Sequence, residues 1–210
     1  MTSTDLLIDQ LADSATPVRP VRERAGRLGA LGAAIVTIVA VIGLYGLRPQ
    51  LFGATGDSMT WVLLGLLALL ALAAGSTAIR MAQPAVGASG GGAPWLLGAV
   101  LVFPGIALIE TLAGRGDGTE PALGIECLSY GIAASLLTAV VLVTHLRRGA
   151  PVLPHRAGLL AGLAAGAVGS FAITLECAGT TFAHLAFWHV AIVVAWAAAG
   201  RTVLGRLLRW

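Results

Sequence analysis

Residues 28–47 read LGALGAAIVTIVAVIGLYGL, twenty residues without a charge, closed on either side by Arg27 and Arg48. A helix made from this run is apolar on every face. About 20 mostly apolar residues is the length a helix needs to cross the hydrocarbon core of a bilayer. Five more uncharged runs follow: 22 residues over 58–79, 29 over 81–109, 20 over 127–146, 19 over 157–175 and 24 over 177–200. The third run contains a glycine-rich loop at 87–92, which shortens its helical part. The pattern predicts six spanning helices at about 27–47, 60–80, 94–113, 122–145, 157–178 and 184–208. Barrel strands would need alternating polarity, and these runs have none. The first run is too long, and lies too far behind a polar leader, to be a cleaved signal peptide.

Composition agrees. Of 210 residues, 57% are apolar and 11% charged, against roughly 25% charged in an average soluble domain. The mean hydropathy is +0.89. A soluble globule could not cover its surface with so few polar groups, and a chain this apolar does not stay disordered. The fold class expected is all-α: a polytopic membrane protein with a six-transmembrane-helix bundle. The net charge of +3 is too small to point to nucleic acid. Two cysteines without a CxxC spacing are too few for a disulfide framework.

All 13 basic residues are arginines, and their placement predicts orientation. Arg19, Arg22, Arg24 and Arg27, Arg80, Arg147, Arg148 and Arg156, and Arg201, Arg206 and Arg209 fall on one side, eleven in all; Arg48 and Arg115 fall on the other. Both termini are therefore expected in the cytoplasm. The acids Asp57, Glu110, Asp117, Glu120, Glu126 and Glu176 gather at the opposite ends of the helices.

Residues 1–26 form the segment outside the bundle, and 27–210 the bundle itself. Within the segment, TDLLIDQLAD (4–13) predicts a short amphipathic helix capped by Ser3 or Thr4. Leu7, Ile8 and Leu11 share a face, while Asp5, Asp9 and Asp13 recur every four residues; Pro17 and Pro20 end the helix. One reading is a frayed terminus. A lipid-surface helix is disfavoured, because anionic headgroups repel an acidic stripe. The sharper reading is a docking peptide whose leucines enter a partner's groove while its aspartates meet basic residues, folding as it binds.

At the opposite face, Glu126-Cys127 opens the fourth span and Glu176-Cys177 closes the fifth, so antiparallel neighbours bring both cysteines to one depth. His184 and His189 open the sixth span at the same level. Cysteine, histidine and carboxylate together form a ligand set for zinc, cadmium or copper, with thiolate selecting the softer ions. Cys127, Cys177, Glu176, His184 and His189 are the candidate metal ligands, and the cysteine pair the candidate redox sensor. On an α-helix His184 and His189 point about 140° apart, so one is expected at the ligand set and the other toward headgroups or a neighbouring helix. Read singly, either cysteine is a small buried hydrophobe and His189, after Trp188, an interfacial residue. Gly158, Gly162 and Gly166 give the fifth span a close-packing face, Pro104 interrupts the third, and Trp210 suits a surface anchor.

These landmarks, in order, are Thr4-Asp5-Leu6-Leu7-Ile8-Asp9-Gln10-Leu11-Ala12, Pro17-Val18-Arg19-Pro20, Gly46-Leu47-Arg48-Pro49-Gln50-Leu51, Cys127-Leu128 and Arg147-Arg148-Gly149-Ala150-Pro151. Cys177, Phe182, Trp188-His189 and Leu207-Leu208-Arg209-Trp210 complete them. With them the sequence resembles the NrsF-type anti-sigma factors, inner-membrane negative regulators of extracytoplasmic-function sigma factors of the sigma-F kind. The resemblance implies a six-helix membrane domain, a cytoplasmic N-terminal segment that holds the sigma factor from RNA polymerase, and cysteines at 127 and 177 that sense oxidants or heavy metals. The chain departs from the pattern at Gln50, where an aspartate is usual, and at Glu176, where a histidine is.

The expectation is a non-enzymatic regulator that needs no cofactor, with a regulatory soft metal ion at the cysteine pair. Its partners are a sigma factor and the lipid bilayer, with no direct nucleic acid. A membrane thiol oxidoreductase and a metal exporter are the alternatives. The first would need a redox pair close in sequence, and the second an ionisable path through the spans.

Overall fold

The computed structural model describes residues 3–15, 21–48, 51, 58–83, 92–116, 118–179 and 181–209. Seven helices account for most of them: α1 Ser3–Ser14, α2 Glu23–Tyr45, α3 Ser58–Arg80, α4 Ala93–Leu112, α5 Pro121–Arg147, α6 Pro154–Glu176 and α7 Phe182–Leu207. There is no strand among the described residues. Helices α2 to α7 are each long and apolar enough to cross a membrane, so each of the six expected spans has its helix. Pro17, Pro20, Arg19, Gln50, Asp57, the loop at 87–91, Asp117 and Trp210 lie outside the described residues.

The boundaries shift where local chemistry extends or ends a helix. α2 starts at Glu23 rather than 27, and Glu23 and Arg27 make an i,i+4 ion pair at 2.9 Å across its first turn. Pro121 and Pro154 occupy first-turn positions of α5 and α6, where a missing N–H costs nothing. α6 ends at Glu176, and Cys177 has extended backbone (φ −55°, ψ 126°). α7 starts at Phe182 because Thr181 caps it, its Oγ1 accepting from the His184 N–H at 3.2 Å. α1 already includes both Ser3 and Thr4, so neither is its cap residue. Pro104 lies inside α4, which runs on through it.

α6 is the central helix. It is buried for most of its length and packs against α2, α3, α5 and α7. Its small residues make this feasible. A side chain at Gly158 or Gly162 would collide with the backbone of α7 at Gly200, Gly205 and Trp196, and one at Gly166 would lie 2.8 Å from the Trp196 Cβ. The glycine face expected from the sequence is thus the α6–α7 contact. On the other flank, Gly169 meets Gly131 and Ser135 of α5.

Successive helices run up and down, so the bundle has two chemically distinct ends. At one, the Ala150 N–H donates to Ala82 O at 3.1 Å, and Arg209 donates to His155 Nε2, whose Nδ1 meets Arg201 O at 2.9 Å. At the other, the Arg48 N–H donates to Leu175 O at 2.9 Å, and the Arg48 side chain is buried with no partner for Nη1 among the described residues. The cysteines lie at this second end.

Candidate functional site

Three helix ends converge here: the first turns of α5, the last turn of α6 with Cys177 beyond it, and the first turns of α7. Cys127 and Cys177 are buried, unbonded, with their Sγ atoms 3.2 Å apart. Cys177 Sγ also lies 3.2 Å from His184 Nε2 and accepts from the Gly179 N–H at 3.4 Å. With His189 these make a buried quartet, Cys127, Cys177, His184 and His189, whose ligand atoms all lie within 4.8 Å of one another.

The histidine expectation needs correction. Both rings enter the cluster, with centroids 5.6 Å apart in edge contact. Residues Leu185–His189 form a π-helical turn, not an α-helical one. In a π turn the hydrogen-bonded partners are i and i+5, so residues five apart stack one above the other. The spacing that would separate the two rings on an α-helix aligns them here. Glu176 is the other departure: it is half-buried at the end of α6 and is not one of the quartet.

One imidazole is held by a hydrogen bond from outside the quartet, and the other has a carboxylate nearby. Thr174 Oγ1 donates its single hydrogen to Ser170 O at 2.7 Å. It stands 2.8 Å from His189 Nδ1, and so must accept there. The proton of His189 is thereby placed on Nδ1. Nε2 is buried, has no hydrogen-bond partner among the described residues, and lies with the sulfurs in the quartet. Ser170 Oγ donates to His189 O at 2.9 Å and fixes the backbone of the same turn. His184 has a carboxylate behind it, Glu120 Oε2, 3.5 Å from Nδ1. Glu120 sits at φ 45°, in the left-handed region that a non-glycine residue seldom occupies, ahead of Pro121. Such backbone is characteristic of functional positions. Thr181 Oγ1, 3.3 Å from Glu120 Oε2 and 2.9 Å from Gly118 O, ties that loop to the start of α7.

Cys177 Sγ is the more contacted sulfur of the pair, meeting Cys127 Sγ, His184 Nε2 and the Gly179 N–H.

Thr174, Ser170, Glu120 and Thr181 are the residues around the quartet that sequence reasoning missed. The signal was available for two of them: Ser170, Thr174 and Cys177 recur at i, i+4 and i+7, one polar stripe on an otherwise apolar helix. The predicted docking residues behave differently. Leu7, Ile8 and Leu11, with Leu6, are each more than half exposed on α1, and Asp9 and Asp13 are exposed beside them.

The architecture defines a class: a bundle of six apolar helices with a thiol–imidazole centre built into one end and an amphipathic helix appended before it. Within that class the chain belongs to the family of negative regulators of sigma F, which it matches over residues 11–210. No curated protein and no solved structure matches it.

Proposed function

We propose that the chain is an anti-sigma factor embedded in the bacterial inner membrane, with both termini in the cytoplasm, that has no catalytic activity of its own. A negative regulator of sigma F implies a sigma-factor partner; the partner proposed is of the extracytoplasmic-function type. The observation that carries the reading is α1. Four large apolar side chains, Leu6, Leu7, Ile8 and Leu11, stand in solvent on a 12-residue helix that also bears Asp5, Asp9 and Asp13. Burying one such side chain in a partner's groove contributes about 1.5–3 kcal/mol. Residues 4–15 then clamp the sigma factor while 27–210 hold the clamp at the membrane.

The quartet is the sensor in this scheme. An oxidant of the peroxide class takes two electrons and two protons from the Cys127 and Cys177 thiols, its O–O bond breaking to water as the S–S bond forms. The sulfurs then close from 3.2 Å to about 2.05 Å. A soft divalent cation instead displaces the thiol protons and takes two sulfurs and two imidazole nitrogens, a tetrahedral donor set. The disulfide ties α5 to the end of α6, and the cation ties α7 to both through its two imidazoles. To move the clamp from 99% closed to 99% open, the signal must favour the open state by about 5.5 kcal/mol.

The test is co-purification of sigma factor with the full chain in detergent. Leu7→Asp/Leu11→Asp should lose the sigma factor, and Cys127→Ser/Cys177→Ser should retain it through peroxide or cadmium stress that strips it from the wild type. Retention by the α1 variant would refute the clamp. Release from the cysteine variant as readily as from the wild type would refute cysteine sensing.

A further inference from the structure

We propose that the groove between α2 and α3 binds one anionic phospholipid. The groove has a volume of about 480 Å³, and its walls carry Ala30 and Ala34 of α2, Ala71 and Gly75 of α3 and Thr138 of α5. It shares Ala34, Ala71, Leu72 and Val168 with a second pocket of about 190 Å³ that reaches Ile38, Ala68 and Phe171. The two form one trough. At 1.5 Å per residue it runs about 16–18 Å along both helices, from Arg27 to Ile38 and from Arg80 to Ala68. The small side chains on the facing surfaces leave this space open, and its lower part is wholly apolar, as an acyl chain requires.

The upper end is charged. Arg27 and Arg80 stand at the mouth. Glu23 pairs with Arg27 at 2.9 Å and offsets one positive charge. Arg80 is exposed, its Nη2 is 3.4 Å from Thr77 Oγ1, and it has no carboxylate partner among the described residues. The mouth therefore carries about one net positive charge, which complements a singly charged phosphodiester. An independent observation comes from the wall. Thr138 is 2% exposed, and its Oγ1 has no hydrogen-bond partner among the described residues. A buried hydroxyl left unpaired is costly unless an acceptor is brought to it. The ester carbonyl of a glycerophospholipid is such an acceptor; free phosphate offers no ester and leaves the trough empty.

This proposal rests on the bilayer placement of the six helices, which is tested separately by carbonate extraction of cell membranes: release of the chain by carbonate would sink that placement whatever the lipid result. The lipid site is tested by native mass spectrometry of the delipidated full chain in neutral detergent. Phosphatidylglycerol, phosphatidylcholine of the same acyl chains, and inorganic phosphate are titrated in turn. The wild type should take up one phosphatidylglycerol about tenfold more tightly than phosphatidylcholine. Arg27→Ala/Arg80→Ala should reduce phosphatidylglycerol to the phosphatidylcholine level, Arg27→Lys/Arg80→Lys should keep it, and Ala71→Phe should block both lipids. Equal binding of the two lipids by the wild type, or undiminished phosphatidylglycerol on the alanine pair, overturns the proposal. So does displacement by phosphate alone, which would mark a headgroup site without a chain. Should Ala71→Phe fail to fold, the arginine pairs decide the matter.

Discussion

Thr174 shows how a single hydroxyl governs the thiol–imidazole centre. Because its hydrogen is committed to Ser170 O, it can only accept from His189, and the proton on Nδ1 follows from that one constraint. Groups that hold a ligating imidazole in this way are worth about 10–100-fold in metal affinity. Thr174→Val should therefore weaken cadmium or zinc binding by that factor, measured by competition with a chromophoric chelator, while Thr174→Ser restores it. An unchanged affinity in the valine variant would mean that His189 is not a ligand. The sequence made the cysteines legible because two Glu-Cys pairs at opposite ends of antiparallel helices must share a depth. It did not make Glu120 legible, since a loop carboxylate reaches His184 only through an unusual φ and a loop tied down by Thr181. Glu176 looked equivalent by sequence adjacency, but the chain leaves the helix at Cys177 and turns the two side chains to different surroundings.

Among the elements, α7 departs furthest from what a regular repeat would give. Its turn at Leu185–His189 holds one residue more than an α-helical turn, and a second wide turn occupies Gly200–Leu204. Nothing in the residue types marks such a turn, so counting at 100° per residue parted two rings that the fold brings together. Deleting Ala186 should convert the turn to α-helix and leave the two imidazoles four apart, still on one face. Inserting an alanine after Ala186 should part them. Cadmium affinity should then survive the deletion and fall by at least about tenfold on insertion; the reverse order would contradict the π-turn account. The glycine stripe of α6, by contrast, was readable, because GxxxG in an apolar helix has one common physical use. Gly162→Leu drives a side chain into Trp196 and Gly200, and should destabilise by about 1–3 kcal/mol or more in detergent unfolding. Gly98 has open space where its Cβ would be, and Gly98→Ala should leave stability unchanged or raise it by about 0.5–1 kcal/mol.

At the scale of the molecule, the six apolar runs carried nearly all of the architecture. Alternation of helix direction then assigned each loop to an end. What it could not supply was the packing order, in which the small-residue helix α6 sits at the centre. Orientation is open to direct measurement in a Cys127→Ser/Cys177→Ser background. A cysteine at Arg115 should react in intact cells with a membrane-impermeant maleimide, and one at Ser14 should react only after the membrane is opened. Labelling of Ser14→Cys from outside would reverse the scheme. Eight residues, 15–22, separate α1 from α2. Fully extended, such a leash reaches no further than about 26–29 Å. On the proposed function, a captive protein gripped by α1 would be confined to a shallow layer against the arginine-rich end and would drift in two dimensions with its keeper. On this geometry, distance from the chromosome would itself keep the captive silent, in addition to any surface that α1 covers.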